Sequence, residues 1–141
     1  MEFGGLNHLS VVAAAVASFI FGGVWYGVLS KQWMAAANVR PEDFQSSKGA
    51  ATAVPYVIAF VAQVVMAYVL AGLIGHLGPG QVTLKNSVIS AGIVWAGFVL
   101  TTLMVNHAFQ GAKKELTLID GGHWLFVLLI QGAVIGWMSV N

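Results

Sequence analysis

A carboxylate, two imidazoles and an amide flank one short connection: Asn106 and His107 precede it, Asp120 and His123 follow it. A carboxylate held with two imidazoles is chemistry for binding a divalent metal or for relaying protons. A metal would need a third or fourth ligand, and the sequence places none. Asp120 also has a structural reading, as the acid of a capping box Thr117-Leu118-Ile119-Asp120 that opens a helix. His123 reads equally well as an interfacial residue with its polar end in water.

Two amides form a second group. Gln63 and Gln131 each fall in the middle of a long apolar run. An unpaired amide in hydrocarbon is costly, so both are expected to face the protein interior. Helical spacing puts Ala59, Gln63 and Ala67 on one face, and Asp120, Trp124, Val127 and Gln131 on another. The two amides either hydrogen-bond to each other as structural glue, contributing on the order of 1 kcal/mol, or line a path for a solute. His8 and His76 are the ligand type for haem, but no Cys-x-x-Cys-His motif accompanies them. There is no cysteine at all, which excludes a thiolate nucleophile, a disulfide and an iron–sulfur site. Gly-rich phosphate loops, nucleophile elbows and HExxH pairs are also missing.

The elements that position these groups follow from charge. Leu9–Leu29, Ala53–Gly75, Asn86–Ala112 and Gly121–Asn141 contain no Asp, Glu, Lys or Arg. A hydrocarbon core of about 30 Å takes about 20 helical residues. Of the 141 residues, 58% are hydrophobic and 8% charged, far below the ~25% charged content of soluble domains. The reading is an all-α integral membrane protein, one domain over 1–141, with spans of about 7–29, 53–75, 85–110 and 118–140. A net charge of +1 supplies no basic stripe for nucleic acid. The absence of Lys or Arg before Lys31 argues against a cleaved signal peptide.

Orientation comes from the loops. Lys31, Arg40, Lys48, Lys113 and Lys114 lie in the first and third connections and only Lys85 in the second, so five of six basic residues share one side. The positive-inside rule makes that side cytoplasmic and puts both termini outside. Trp25, Tyr26, Trp33 and Trp124 are placed there as interfacial anchors. Lys31–Ala37 is expected to be a short helix in the headgroup layer, and Arg40-Pro41-Glu42-Asp43-Phe44 a second helix start. Pro55 is placed in a first helical turn, and Gly78-Pro79-Gly80 reverses the chain. Gly23-xxx-Gly27 and Gly132-xxx-Gly136 are small-xxx-small patterns for close helix packing, within the bundle or between copies. Tyr56 and Gln63 match Trp124 and Gln131 in spacing, which would suit two parallel hairpin halves.

With the spans placed, the chain resembles the family of small bacterial membrane proteins catalogued as domain of unknown function 1761. The resemblance rests on Trp25-Tyr26, Lys31-Gln32-Trp33-Met34, Ala67–Ala71, Gly97-Phe98 leading to Asn106, Leu118-Ile119-Asp120 and Gly132-Ala133. It implies four spans and a bacterial cytoplasmic (inner) membrane, and brings no activity or catalytic residues with it. One departure is local. Relatives often carry a Pro and a Phe-Gly before the Lys, where this chain reads Gly27-Val28-Leu29-Ser30.

The expected function is a non-enzymatic, oligomeric membrane protein with a polar-lined pocket or passage for a small solute or lipid. Gln63, Gln131, Asn106, His107, Asp120 and His123 would line it. The alternative is an accessory or assembly subunit of a larger membrane complex. Catalysis would require Asp120, His107 and His123 to converge on an open pocket. No cofactor or metal is expected, and the expected partners are membrane lipid and further copies of the chain.

Overall fold

The computed structural model describes residues 5–45 and 50–140, and these contain helices and turns but no strand. Seven α-helices follow in order: α1 His8–Val28, α2 Ser30–Ala37, α3 Pro41–Gln45, α4 Ala50–Gly75, α5 Leu84–Val94, α6 Thr101–Phe109 and α7 Lys114–Val140. A π-helical turn, Trp95–Leu100, joins α5 to α6, so the two make one long rod. Four helices are long and apolar enough to cross a membrane: His8–Val28, Thr52–Gly75, Leu84–Phe109 and Lys114–Ser139. This is a multi-pass membrane protein. The end where the first and third connections lie carries Lys31, Arg40, Lys113 and Lys114, and is called the basic end below. Lys48 lies outside the described residues.

Local chemistry sets the helix ends. The Asn7 side chain accepts from the Ser10 N–H at 3.1 Å and caps α1. Thr83 does the same for α5, accepting from the Asn86 N–H at 3.2 Å. Such caps satisfy N–H groups that have no partner inside the helix. Only Leu29 separates α1 from α2. Its N–H donates to the Trp25 carbonyl and its carbonyl accepts from the Trp33 N–H, so the chain turns with few lost bonds. Asn38, at φ 55°, ends α2 in the left-handed conformation that Asn tolerates. Pro41 opens α3, where the Asp43 carboxylate accepts from the Arg40 N–H at 2.9 Å. Gly78 (φ 106°) and Gly80 (φ 72°) supply the positive angles that the turn after α4 requires.

Two sequence expectations are corrected here. Helix α7 starts at Lys114, so Thr117 and Asp120 lie inside it and form no capping box. Pro55 lies inside α4 rather than in its first turn, because that helix begins at Ala50.

α7 is the central rod and packs on α1, α2, α4 and α5. The apolar core lies towards the far end from the basic residues, built from Val11, Ala14 and Ala15, Ala67, Leu70, Ala71 and Ile74, Ala91, and Leu128 and Ile135. Lipid tails are as apolar as these side chains, so the small residues matter by letting backbones approach. Gly132 and Gly136 carry that furthest. A Cβ on Gly132 would stand 2.7 Å from the Ser87 carbonyl oxygen, and one on Gly136 would stand 2.8 Å from Leu84 Cα. Around Gly23 and Gly27 nothing lies within 4 Å of such a Cβ, so neither meets another part of the subunit.

Towards the basic end the bundle opens. Thr52 to Ile58 in α4 are all exposed, whichever side of the helix they lie on. The third span has only 6% of its apolar window buried, against 28–39% for the others.

Candidate functional site

A line of polar side chains runs inside the α1/α4/α7 seam, from the basic end to the middle of the bundle. On α1 it uses Ser18 and Tyr26, with Gly22 between them on the same helical face. On α7 it uses Asp120, His123 and Gln131.

The inner part is a three-residue network. Ser18 donates to Gln63 Oε1 at 2.7 Å, and the same hydroxyl oxygen is 3.1 Å from the Ala15 carbonyl. Gln131 Nε2 donates to Ser18 Oγ at 3.1 Å and to the Gln63 backbone carbonyl at 3.0 Å. All three side chains are buried. The two amides share this seam, and Ser18 is the residue that joins them. Ser18 is not among the site residues that the sequence singles out; its place one turn before Gly22 is the available signal. Gln131 Oε1 remains buried with no partner among the described residues.

His123 comes next, packed between Tyr26 (ring centroids 4.7 Å apart) and Trp124 (4.6 Å). Its ring fits because residue 22 is glycine. A Cβ there would stand 2.8 Å from His123 Nε2 and 3.9 Å from Gln63 Nε2. Its other nitrogen, Nδ1, is buried and has no hydrogen-bond partner among the described residues. Gly22→Ala is therefore expected to displace the imidazole and cost about 1–3 kcal/mol, as overpacking does. Thermal unfolding in detergent checks this, with Gly23→Ala, whose methyl meets nothing, as the control.

The mouth of the seam is ionisable. Tyr26 donates its phenol proton to Asp120 Oδ1 at 2.7 Å. His107 Nε2 lies 4.0 Å from Asp120 Oδ2, while its Nδ1 meets Thr117 Oγ1 at 2.8 Å. His107 and Asp120 are thus neighbours, held by α6 and the second turn of α7. His123 turns instead into the seam, and Asn106 is exposed on α6. The four residues do not converge on one point. Among the described residues no group of three His, Cys, Asp or Glu side chains is disposed to hold a metal.

The aromatic residues expected as anchors have specific partners. The Trp25 indole N–H donates to the Ile119 carbonyl at 3.1 Å, and that of Trp95 to the Gly121 carbonyl at 2.9 Å. Gly122 leaves room for the Trp25 ring, since a Cβ there would stand 3.0 Å from it. Trp33 on α2 packs edge-on to Tyr26 at 6.3 Å. Trp124 is half-buried against His123, and Tyr56 is exposed. At the far end His8 Nδ1 lies 3.1 Å from the Tyr68 hydroxyl, and His76 is exposed.

A model of one protein family matches residues 9–136. The chain belongs to that family, described as a protein of unknown function (DUF1761). The match spans all four membrane-crossing helices except the ends of the first and last, so the polar seam lies within the family's shared region. No curated protein and no solved structure matches the chain.

Proposed function

We propose that this protein is a non-enzymatic, oligomeric membrane protein whose α1/α4/α7 seam is a polar passage for a small, hydrogen-bonding solute. The observation that carries the reading is the pair of buried, unpartnered polar atoms on that seam, His123 Nδ1 and Gln131 Oε1. Buried polar groups nearly always have partners, so two orphans on one path point to a ligand or water that supplies them. The surroundings agree. Asp120 and His107 form an ionisable mouth at the basic end. At the far end, Asn7, Ser10, Gly80 and Ser139 line a recess of about 470 Å³. Between recess and network lie Ala14, Ala15 and Ala67, small buried side chains that act as a plug in this reading. From Ser10 to Ser18 this barrier is about 12 Å thick at 1.5 Å per residue.

The basic end faces the cytoplasm of a bacterial inner membrane in this reading, because its lysines and arginine follow the positive-inside rule. Membrane lipid and further copies of the chain are the partners. The exposed Thr52–Ile58 turns and the thinly covered third span supply the surface on which copies assemble. The same surface also favours the second reading, an accessory subunit docked on a larger membrane complex.

Osmotic swelling of proteoliposomes tests the passage, with urea and glycerol as solutes. Wild-type vesicles are expected to swell faster than empty ones, and Gln63→Leu/Gln131→Leu vesicles to lose most of that excess while keeping native helicity. Equal rates for variant and wild type would remove the passage. A native mass spectrum of gently extracted protein separates the two readings: a closed homo-oligomer supports the first, and an assembly containing other proteins the second.

A further inference from the structure

α2 lies against the start of α7 and walls an open groove of about 520 Å³ at the basic end. Leu29, Ala36 and Leu118 are among its apolar lining; Gln32, Lys113 and Glu115 are its polar lining. That volume falls within the roughly 300–1,000 Å³ of ligand pockets. Lys113 Nζ donates to the Ala35 carbonyl at 2.8 Å, which fixes the ammonium at the groove. An ammonium has three donors, so others remain for a ligand. Glu115 is exposed, and among the described residues no ion pair joins it to Lys113. The first turn of α7 starts beside them, and its backbone N–H groups favour an anion.

One positive and one negative side chain, unpaired with each other, thus line an apolar trough where the membrane-crossing helices end. We propose that this groove binds a phospholipid whose headgroup carries both a phosphate and a primary ammonium. The phosphate sits on Lys113 and the α7 N-terminus, the ammonium donates to Glu115, and the start of an acyl chain lies along Leu29, Ala36 and Leu118. Charge complementarity selects this class. A glycerol headgroup brings only negative charge, which Glu115 repels. A choline headgroup has no N–H to donate to the carboxylate, so it forfeits the charge-assisted bond. The site is distinct from the α1/α4/α7 seam and does not rest on the passage reading.

The test is lipid retention by the full chain. The protein is equilibrated with equal amounts of phosphatidylethanolamine, phosphatidylglycerol and phosphatidylcholine, and bound lipids are counted by native mass spectrometry. Wild type is expected to retain the ethanolamine lipid over both others. Glu115→Gln is expected to lower the ethanolamine-to-glycerol ratio about tenfold, the worth of one such bond, and Glu115→Lys to invert it. Lys85→Gln, at the far end, leaves the ratio as it is. Equal retention of the three lipids by wild type overturns the proposal, as does an unchanged ratio in both Glu115 variants.

Discussion

Gly136→Ala is expected to destabilise the bundle by about 1–3 kcal/mol. The added methyl would stand 2.8 Å from Leu84 Cα, from Ser87 Oγ and from the Thr83 carbonyl oxygen. Two of these three atoms belong to backbone and cannot swing aside as the far end of a flexible chain would. Helices α5 and α7 must therefore separate, which also loosens the Gly132 contact with Ser87 one turn away. Part of the cost is offset, because alanine favours a helix over glycine by up to about 1 kcal/mol. Gly23→Ala isolates that offset, since its methyl meets nothing. Unfolding in detergent and in nanodiscs should rank Gly136→Ala below wild type and Gly23→Ala at or above it. Equal stability of the two variants would mean that α5 and α7 do not approach as closely as described.

The pair also shows what spacing can and cannot tell. Gly23-xxx-Gly27 and Gly132-xxx-Gly136 are the same pattern in sequence, yet only the second has another helix against it within the subunit. A small-xxx-small motif says that a face permits close approach. Whether a partner comes depends on how each helix is rotated about its axis. That rotation is set by the sum of all contacts and is not written in any one motif.

The same limit explains which parts of the site could be read. Four uncharged runs give four membrane-crossing helices because hydrocarbon tolerates neither charge nor open backbone. Mid-span amides must turn inward for the same reason, and the sequence therefore points to Gln63 and Gln131. It does not point to Ser18, because a serine in a helix can satisfy itself on a carbonyl of the preceding turn, as Ser18 also does with Ala15. The capping-box reading of Thr117 and Asp120 fails through ambiguity of period. Three residues apart is the spacing of a cap, but also that of neighbours on a helix face. Once α7 begins at Lys114 the pair is interior, and each side chain bonds a different helix: Thr117 to His107, Asp120 to Tyr26. The π turn at Trp95–Leu100 carries no sequence mark. It lies where the Trp95 indole bonds the Gly121 carbonyl, and such turns are known to concentrate at functional positions.

Tyr26→Phe is expected to cost about 1.5–3 kcal/mol, the range for a hydrogen bond to a charged group. Asp120 is the one acid in the interior of a membrane-crossing helix here, lying beyond the first turn of α7. Among the described residues its one close hydrogen bond comes from the Tyr26 phenol, and His107 stands at 4.0 Å. Removing the phenol hydroxyl leaves a carboxylate largely buried with no short donor, and the penalty is that of an abandoned charge. Asp120→Asn alone should be mild, because Tyr26 can still donate to the amide oxygen. The double variant Tyr26→Phe/Asp120→Asn should then be more stable than Tyr26→Phe alone, since a neutral amide is cheaper to leave unpaired than a carboxylate. The coupling should reach about 1–2 kcal/mol, within the range for residues in direct contact. Simple additivity of the two changes would show that the carboxylate does not depend on the phenol. The rescue also bears on the proposed passage. If Asp120 serves its mouth as a charge, the double variant regains stability without regaining solute flux. Recovery of both together would make Asp120 a structural partner of Tyr26 and leave the work of the passage to His123 and the amide network below it.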